Sequence, residues 1–495
     1  MEEIIKEIIK KATRQEADIE RPVDEKNGDY STNLAMKMKV SPEDIISKIG
    51  NNPLFNKIEA KNGFINFYIA KSYFQEELKK IIKQKDKFGS SVLGKGKKIQ
   101  VEFVSANPTG PLTLGNARGG PYGDVLSNVL KKVGFKVEKA YYVNDCGKQI
   151  ESLGHSVLKD SLAVYKGKCI DEIQVKGKDV YDVGQQASHL IIEQYIKPIL
   201  EKAGIKYDKW YFESFLQTET KEALKKLKDF IYEKDGATWF RSSQFGDERD
   251  RVIIKSDGTN TYLAGDLGLH NYKFKTFDKV INIWGADHYG DVKGLMNGVE
   301  ALGHKGKLEI VLLQFVTLVK KGEKVKMSKR EGNIVEFKTL IDEVGTDAMR
   351  FFFLQRSSNS HLSFDLDLAK EKTQNNPVFY VQYALARISS ILRQAEQKPK
   401  TNNFDLIQHR TELSLIKELL KLPVILENIA KDYQVHRLPK YALDIASSFH
   451  KFYTECKVLS EEKELTSARL SLCEATQVVL KNVLDIMGIS QPEKM

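Results

Sequence analysis

Three groups of residues have types and spacing suited to chemistry. The first is Ser105-Ala106-Asn107-Pro108-Thr109-Gly110-Pro111-Leu112-Thr113-Leu114-Gly115-Asn116, a Pro- and Gly-rich loop between a strand pattern and the start of a helix. A loop at the carboxyl end of such a strand is where an α/β sheet binds nucleotides, and the helix N-terminus favours phosphate. Gly115 leaves space for a base or ribose against the backbone; an ordinary structural loop capped by Asn116 fits the composition equally well. The second is Lys324-Val325-Lys326-Met327-Ser328-Lys329-Arg330-Glu331-Gly332-Asn333. Lysines on a loop can meet the negative charge that builds on leaving phosphates, although most lysine runs are solvated surface. The third is scattered at strand ends: Glu102, Asn107, Tyr262, Asp266, Asp287 and His288. Converging carboxylates would suit a cation, and a planar guanidinium in particular. Edge-strand and capping acids would give the same residues without convergence.

Elements able to position these groups can be read from periodicity. Ile99 to Val104 alternates as a strand, and Val125, Leu126, Val129, Leu130 and Val133 form one helical face that stops at Gly134. Lys136 to Val143 reads as a second strand. Strand, Gly-rich loop, helix, strand is half of a nucleotide-binding α/β sheet. Val280 to Trp284, ending at Gly285-Ala286-Asp287-His288, and Leu308 to Val319 read as further strands. The stretch of about 150–250 between the halves reads as a mainly helical insertion. Upstream, Ile4, Ile5, Ile8 and Ile9 predict a helix and Gly63 to Ile69 a strand, a small α+β unit joined by the charged stretch Lys79 to Lys98. Downstream, helical spacing in Ala442, Ile445, Phe449, Phe452 and Cys456, and again from Leu472 to Ile486, predicts a helix bundle. The predicted domains are 1–80, 81–373 and 374–495.

Bulk properties narrow the class. At 495 residues the chain exceeds one ordinary core. Lys and Arg number 77 against 67 Asp and Glu, a net charge of +10 that suits a polyanion and equally a Lys-rich solvated surface. No apolar run long enough for a membrane span and no secretory leader is evident, which predicts a cytoplasmic location. The four cysteines, Cys146, Cys169, Cys456 and Cys473, form no Cys-x-x-Cys pair and are expected as buried free thiols.

Together these segments resemble the class I aminoacyl-tRNA synthetases, and within them the arginyl enzymes. The lysine loop is similar to the lysine signature of that class, with Arg330 where the generic form ends in Ser. Ser105 to Pro111 resembles the arginyl segment that precedes the histidine signature. Further likeness lies in Tyr141-Tyr142-Val143-Asn144-Asp145, Gly236 to Arg241, Lys255 to Thr259 with Tyr262, Trp284 to His288, Asp342 to Gly345 and Arg350-Phe351-Phe352. His436-Arg437-Leu438, Phe449 to Tyr453, Ala468-Arg469-Leu470 and the final Pro492 to Met495 resemble the anticodon-binding bundle. Gly28 to Asn33 resembles the N-terminal domain with which these enzymes grip the outer corner of tRNA. Two departures stand out: His-x-Gly-His is replaced by Thr113-Leu114-Gly115-Asn116, and a usually Tyr-rich motif by Val175 to Val180.

The resemblance implies a Rossmann-like parallel-sheet catalytic domain with a helical insertion, a small N-terminal α+β domain and a C-terminal all-α bundle. It implies activation of L-arginine by ATP, with Mg2+ accompanying the ATP, and transfer to the 2′-hydroxyl of the terminal adenosine of tRNA. Lys326, Lys329, Asn116 and Thr113 would serve catalysis. Pro111, Thr113, Gly115, Asn116, Asp287, His288, Lys326, Met327, Ser328 and Lys329 would hold ATP. Glu102, Ser105, Asn107, Tyr262 and Asp266 would hold arginine; Tyr30, Asn33, His436 and Tyr453 would touch tRNA. Arg118 and the lysine loop would offset the lost histidines. No bound metal, prosthetic group, membrane or editing domain is expected, and the chain is expected to act as a monomer. The lost histidines leave open a tRNA-binding relative without chemistry, and the α/β pattern alone leaves open an unrelated nucleotidyltransferase.

Overall fold

A parallel sheet organises the larger of two compact units, which comprises residues 86–390, 421–447 and 479–495. The structure is a computed structural model and describes residues 1–22, 24–325, 335–396, 399 and 404–495. Five strands lie in the order Leu308–Leu313, Lys279–Gly285, Lys98–Phe103, Lys136–Val143, Lys209–Phe212, every neighbouring pair parallel. The chain builds outward from Lys98–Phe103 to one edge, then returns to lay Lys279–Gly285 on its other side. The order therefore reverses between these two central strands, whose carboxyl ends flank the crevice where such sheets bind ligands. The central residues of both strands are buried, as in parallel strands covered on two faces.

Helix Gly119–Lys132 covers one face of the sheet. It approaches closely because Gly123 has no side chain: a Cβ there would fall within the ring of Phe103. On another side, helix Tyr262–Lys273 packs with helix Tyr289–Ala301 in an apolar cluster that includes Leu267, Val280, Leu295 and Val299.

Two differences from the periodicity reading have physical causes. Leu308 to Val319 is not one strand. It divides into Leu308–Leu313 and Val316–Lys320, the second pairing with Glu323–Lys324 and Leu362–Asp365 in a separate sheet. The break is held by Gln314, whose N–H donates to Ser358 O (2.9 Å) and whose carbonyl accepts from Arg118 (2.8 Å). The stretch 150–250 is helical as far as Lys202 and strand-bearing beyond it. Lys209–Phe212 joins the main sheet, and Ile231–Lys234, Ala237–Phe240 and Arg251–Ile254 form an antiparallel sheet. Within its helical part, helices Lys148–Leu158 and Val180–Ile191 meet at Gly154 and Gly184, where a Cβ would strike the other helix's backbone.

The second unit comprises residues 1–85, 391–420 and 448–478. It holds an antiparallel sheet in the order Tyr30–Thr32, Phe64–Ile69, Phe55–Lys61, and helix Glu2–Thr13 buries Ile5 and Ile9 while Ile4 stays exposed. In its helical part Glu412 is buried against Arg469 (2.7 Å), and Asp29 accepts from Ile69 N–H (2.8 Å) and pairs with Lys417 (2.5 Å). No helix among the described residues is long and apolar enough to cross a membrane.

Candidate active site

Strand Lys98–Phe103 ends in a strained turn. Val104 (φ 68°) and Ser105 (φ 39°) both adopt left-handed backbone, and Ser105 N–H donates to Phe103 O at 3.0 Å. A β-branched residue rarely takes this conformation, and such strain persists where the surroundings enforce it. Here Ser105 Oγ accepts from Tyr142 N–H (3.0 Å), Ala106 N–H donates to the Tyr141 hydroxyl (3.0 Å), and that hydroxyl donates to Ala106 O (3.0 Å). The turn sends the chain away from the sheet and leaves Glu102 at the crevice, buried, with Ser105 Oγ 3.3 Å from its carboxylate.

Glu102 is not a bare acid. Lys273 Nζ lies 2.5 Å from Glu102 Oε2, and both side chains are enclosed. Lys273 belongs to helix Tyr262–Lys273, where Tyr262, Asp266, His270 and Lys273 recur at helical spacing on one face. The stripe runs from Tyr262, 75% exposed, to buried Lys273. Buried His270 faces the Asp266 carbonyl through Nδ1 (2.7 Å) and the Asn282 amide through Nε2 (2.9 Å). Burial, then Lys273, push it down to about 3, so its ring is neutral.

Asp266 and Glu213 complete the acidic group. Gly265 lets the Glu213 carboxylate lie against the helix beside Asp266; a Cβ on Gly265 would be 3.4 Å from Glu213 Oε1. Tyr142 hydrogen-bonds Glu213 and lies within the electrostatic reach of Asp266 and Glu102. The Asn144 amide, turned so that its nitrogen donates, is 2.7 Å from Glu213 Oε2. Next to it, Asp145 is fully buried, bonded by Ser214 N–H (2.9 Å) and Ser214 Oγ (2.6 Å). Burial, then Glu102 and Glu213, push Asp266 up to about 8, and burial also raises Glu213. Such a group is stabilised by a cation.

The loop that follows gives its residues unequal parts. Asn116 Oδ1 accepts from Thr113 N–H (3.2 Å) and the Thr113 hydroxyl (2.9 Å). The Thr113 hydroxyl hydrogen is therefore occupied, and Thr113 orients Asn116 instead of offering a donor of its own. The Asn116 amide nitrogen bonds none of the described residues. Leu114 N–H donates to Val335 O (3.0 Å) and Phe337 N–H to Leu112 O (2.8 Å), so the backbone leaving the lysine loop is tied to this segment. Lys326, Met327, Ser328 and Lys329 themselves lie outside the described residues.

Arg118, Tyr30, Asn107 and Tyr262 depart from expectation. Arg118 is buried, and its guanidinium donates to the carbonyls of Gln314, Arg356, Ser357 and Ser360, so it clamps loops and has no reach to phosphate. Tyr30 is buried in its sheet and its hydroxyl accepts from Arg21 (2.8 Å), which removes it from any tRNA-facing surface. Asn107 is exposed, and Tyr262 stands out at the head of its helix near Tyr165, so neither is drawn in with the acids. Asp287 and His288 are exposed on the turn after strand Lys279–Gly285, with His288 3.4 Å from Asp291. Pro111 is half-buried and Gly115 exposed, with the Thr113 hydroxyl 3.6 Å from where its Cβ would stand. Asn33 heads helix Leu34–Met38, Tyr453 is 38% exposed and stacks on Phe449, and the half-buried His436 has its Nδ1 enclosed with no partner among the described residues. Three thiols are buried, while Cys146 is only half-buried.

Comparison with known proteins decides the family. The arginyl tRNA synthetase N-terminal domain matches residues 1–69. The class I (R) tRNA synthetase catalytic domain matches 77–174 and 162–359, and the DALR anticodon-binding domain 381–495. The chain belongs to the arginyl-tRNA synthetase family. An arginine–tRNA ligase from Caldanaerobacter subterraneus is 42% identical, the match covering 97% of this chain and 94% of that one. The Bacillus subtilis arginine–tRNA ligase is 41% identical over 100% of this chain and 98% of its own. The fold agrees with the Thermus thermophilus arginyl-tRNA synthetase structure at a TM-score of 0.80, with 18% identity and each chain covered in full. Glu213, Lys273 and His270 lie among the acids described above, and motif reading passed them over. The i, i+4, i+8, i+11 stripe from Tyr262 could have signalled the last two; Glu213 carries no local pattern.

Proposed function

We infer that this chain charges tRNA with arginine. The carboxylate of L-arginine attacks the α-phosphate of magnesium-bound ATP, pyrophosphate leaves, and the 2′-hydroxyl of the terminal adenosine of tRNA takes arginine from the adenylate. The observation that carries this reading is the half-buried acidic group of Glu213 and Asp266 around Tyr142, beside a loop tied to Val335 and Phe337. Two carboxylates give a guanidinium the planar, charge-assisted contacts that neutral groups cannot.

Asp266 and Glu213 take the guanidinium. Glu102, held by Lys273, lies with Ser105 toward the α-amino and carboxylate end. ATP lies along Pro111, Gly115, Asn116, Asp287 and His288, with Lys326, Met327, Ser328 and Lys329 on its phosphates. Asn33, His436 and Tyr453 contact tRNA. The functional division follows 1–80, 81–373 and 374–495, and the chain acts as a monomer. The test is Asp266→Asn, which keeps the shape and removes the charge. Its arginine KM should rise by about 1.5–3 kcal/mol in free-energy terms, with ATP KM little changed. An unaltered arginine KM would remove Asp266 from the pocket.

A further inference from the structure

Asp145 is a carboxylate to which the reaction gives no part. Its side chain is fully buried, and among the described residues no lysine or arginine pairs with it. A charge enclosed in this way is costly unless hydrogen bonds replace the lost water. Ser214 supplies two, its N–H donating to Oδ1 (2.9 Å) and its hydroxyl to Oδ2 (2.6 Å). His189 Nε2, on helix Val180–Ile191, faces Oδ2 at 3.4 Å. Strand register explains the meeting. Strands Lys136–Val143 and Lys209–Phe212 run parallel and end together at the pair Val143 and Phe212. Two further steps along each chain bring Asn144 beside Glu213 and Asp145 beside Ser214. Past the end of the ladder, side chains hold the two chains together. Asp145 holds Ser214, and Asn144, with its nitrogen as donor, lies 2.7 Å from Glu213 Oε2. The Asn144 amide is itself aimed, since its oxygen then accepts from Gln149 Nε2 at 3.0 Å. The other oxygen of Glu213 lies against Gly265, where a Cβ would stand 3.4 Å away.

We propose that Asn144 and Asp145 are positioning residues for the guanidinium subsite: Asp145 fixes the turn that carries Glu213, and Asn144 aims the Glu213 carboxylate. This rests on the pocket assignment above and deepens it. A guanidinium is planar, and a carboxylate meets it well only when its own plane and direction are right. A glutamate side chain left to itself samples many rotamers, and that freedom would be lost when substrate binds. Here the backbone is held at Ser214 and the carboxylate at Asn144, so most of the ordering is complete before arginine arrives. Neither positioning residue needs to touch the substrate. The bonds of Asp145 and its charge are separable. An asparagine at this position keeps an oxygen for the Ser214 N–H, and the Ser214 hydroxyl can turn to accept from the new amide. The positioning role therefore survives Asp145→Asn, whereas a role for the charge alone does not.

The experiment is steady-state arginylation of tRNA by the full-length protein and its variants, with KM measured for arginine and for ATP, and Tm beside them. Asn144→Leu removes the aiming donor at similar size, and Asp145→Ala removes both bonds to Ser214. Each should raise the arginine KM about tenfold to a hundredfold, the worth of one hydrogen bond to a charged group, and leave the ATP KM little changed. Asp145→Asn should stay near wild type. In Glu213→Ala there is no carboxylate to aim, so adding Asn144→Leu should raise the arginine KM no further. Asn144 is only half-buried, so its variant carries the test even if Asp145→Ala does not fold. Equal rises in the arginine and ATP KM, a full additional effect of Asn144→Leu on Glu213→Ala, or an Asp145→Asn as impaired as Asp145→Ala would each overturn the positioning role. A wild-type arginine KM in Glu213→Ala removes Glu213 from the pocket, and the assignment beneath the proposal falls. A raised KM in Glu213→Ala with none in Asn144→Leu leaves the pocket standing and removes only the positioning role.

Discussion

At the loop that enters the helix, the amide nitrogen of Asn116 is a donor that bonds none of the described residues. Thr113 holds the amide by its oxygen through two bonds, at 3.2 and 2.9 Å, which aims the nitrogen. A fixed donor needs no reorganisation when charge builds on a phosphate, and one such donor contributes about 2–4 kcal/mol to a transition state. Asn116→Ala should therefore slow arginine-dependent ATP–pyrophosphate exchange by that amount, and Asn116→His should retain most of it. Exchange at the wild-type rate in the alanine variant would leave Asn116 no part in activation. At this scale the sequence showed Glu102 and Asp266 as acids expected at strand ends, and the structure puts Asp266 within helix Tyr262–Lys273 instead. It could not show that Lys273, 171 positions away, neutralises the first, nor that Glu213 lies against Gly265, next to the second. Those are facts of folding back, and neither leaves a mark in local spacing.

Among elements, the strands and helices around the site were legible because burial imposes periods of two and 3.6. The observed strands Lys98–Phe103, Lys136–Val143 and Lys279–Gly285 lie where alternation or an apolar run places them. The division of Leu308 to Val319 was not legible, since apolar residues run through it and the break is made by carbonyl bonds to Arg118, 196 positions distant. How closely helix Gly119–Lys132 approaches strand Lys98–Phe103 depends on Gly123. Gly123→Ala should force Phe103 or the helix to move, at a cost of about 1–3 kcal/mol. Because Phe103 adjoins Glu102, the shift should lower Tm and raise the arginine KM together. A variant with wild-type Tm and KM would show that the contact is slack.

For the whole molecule, a net charge of +10 gives long-range attraction for a polyanion, while the family match identifies that polyanion as tRNA only through its relatives. Composition reported the charge and helical spacing reported the bundle. The two compact units, each assembled from separated segments of chain, are products of long-range contact and lie beyond any contiguous reading. The most direct measurement is arginylation of cognate tRNA by the purified full-length protein with L-arginine and magnesium ATP, followed beside arginine-dependent pyrophosphate exchange. Active charging, with arginine-dependent exchange, is the predicted result for a chain whose loop reads Thr113-Leu114-Gly115-Asn116. Tight tRNA binding with neither charging nor exchange would contradict it and mark the chain as a tRNA-binding relative without chemistry.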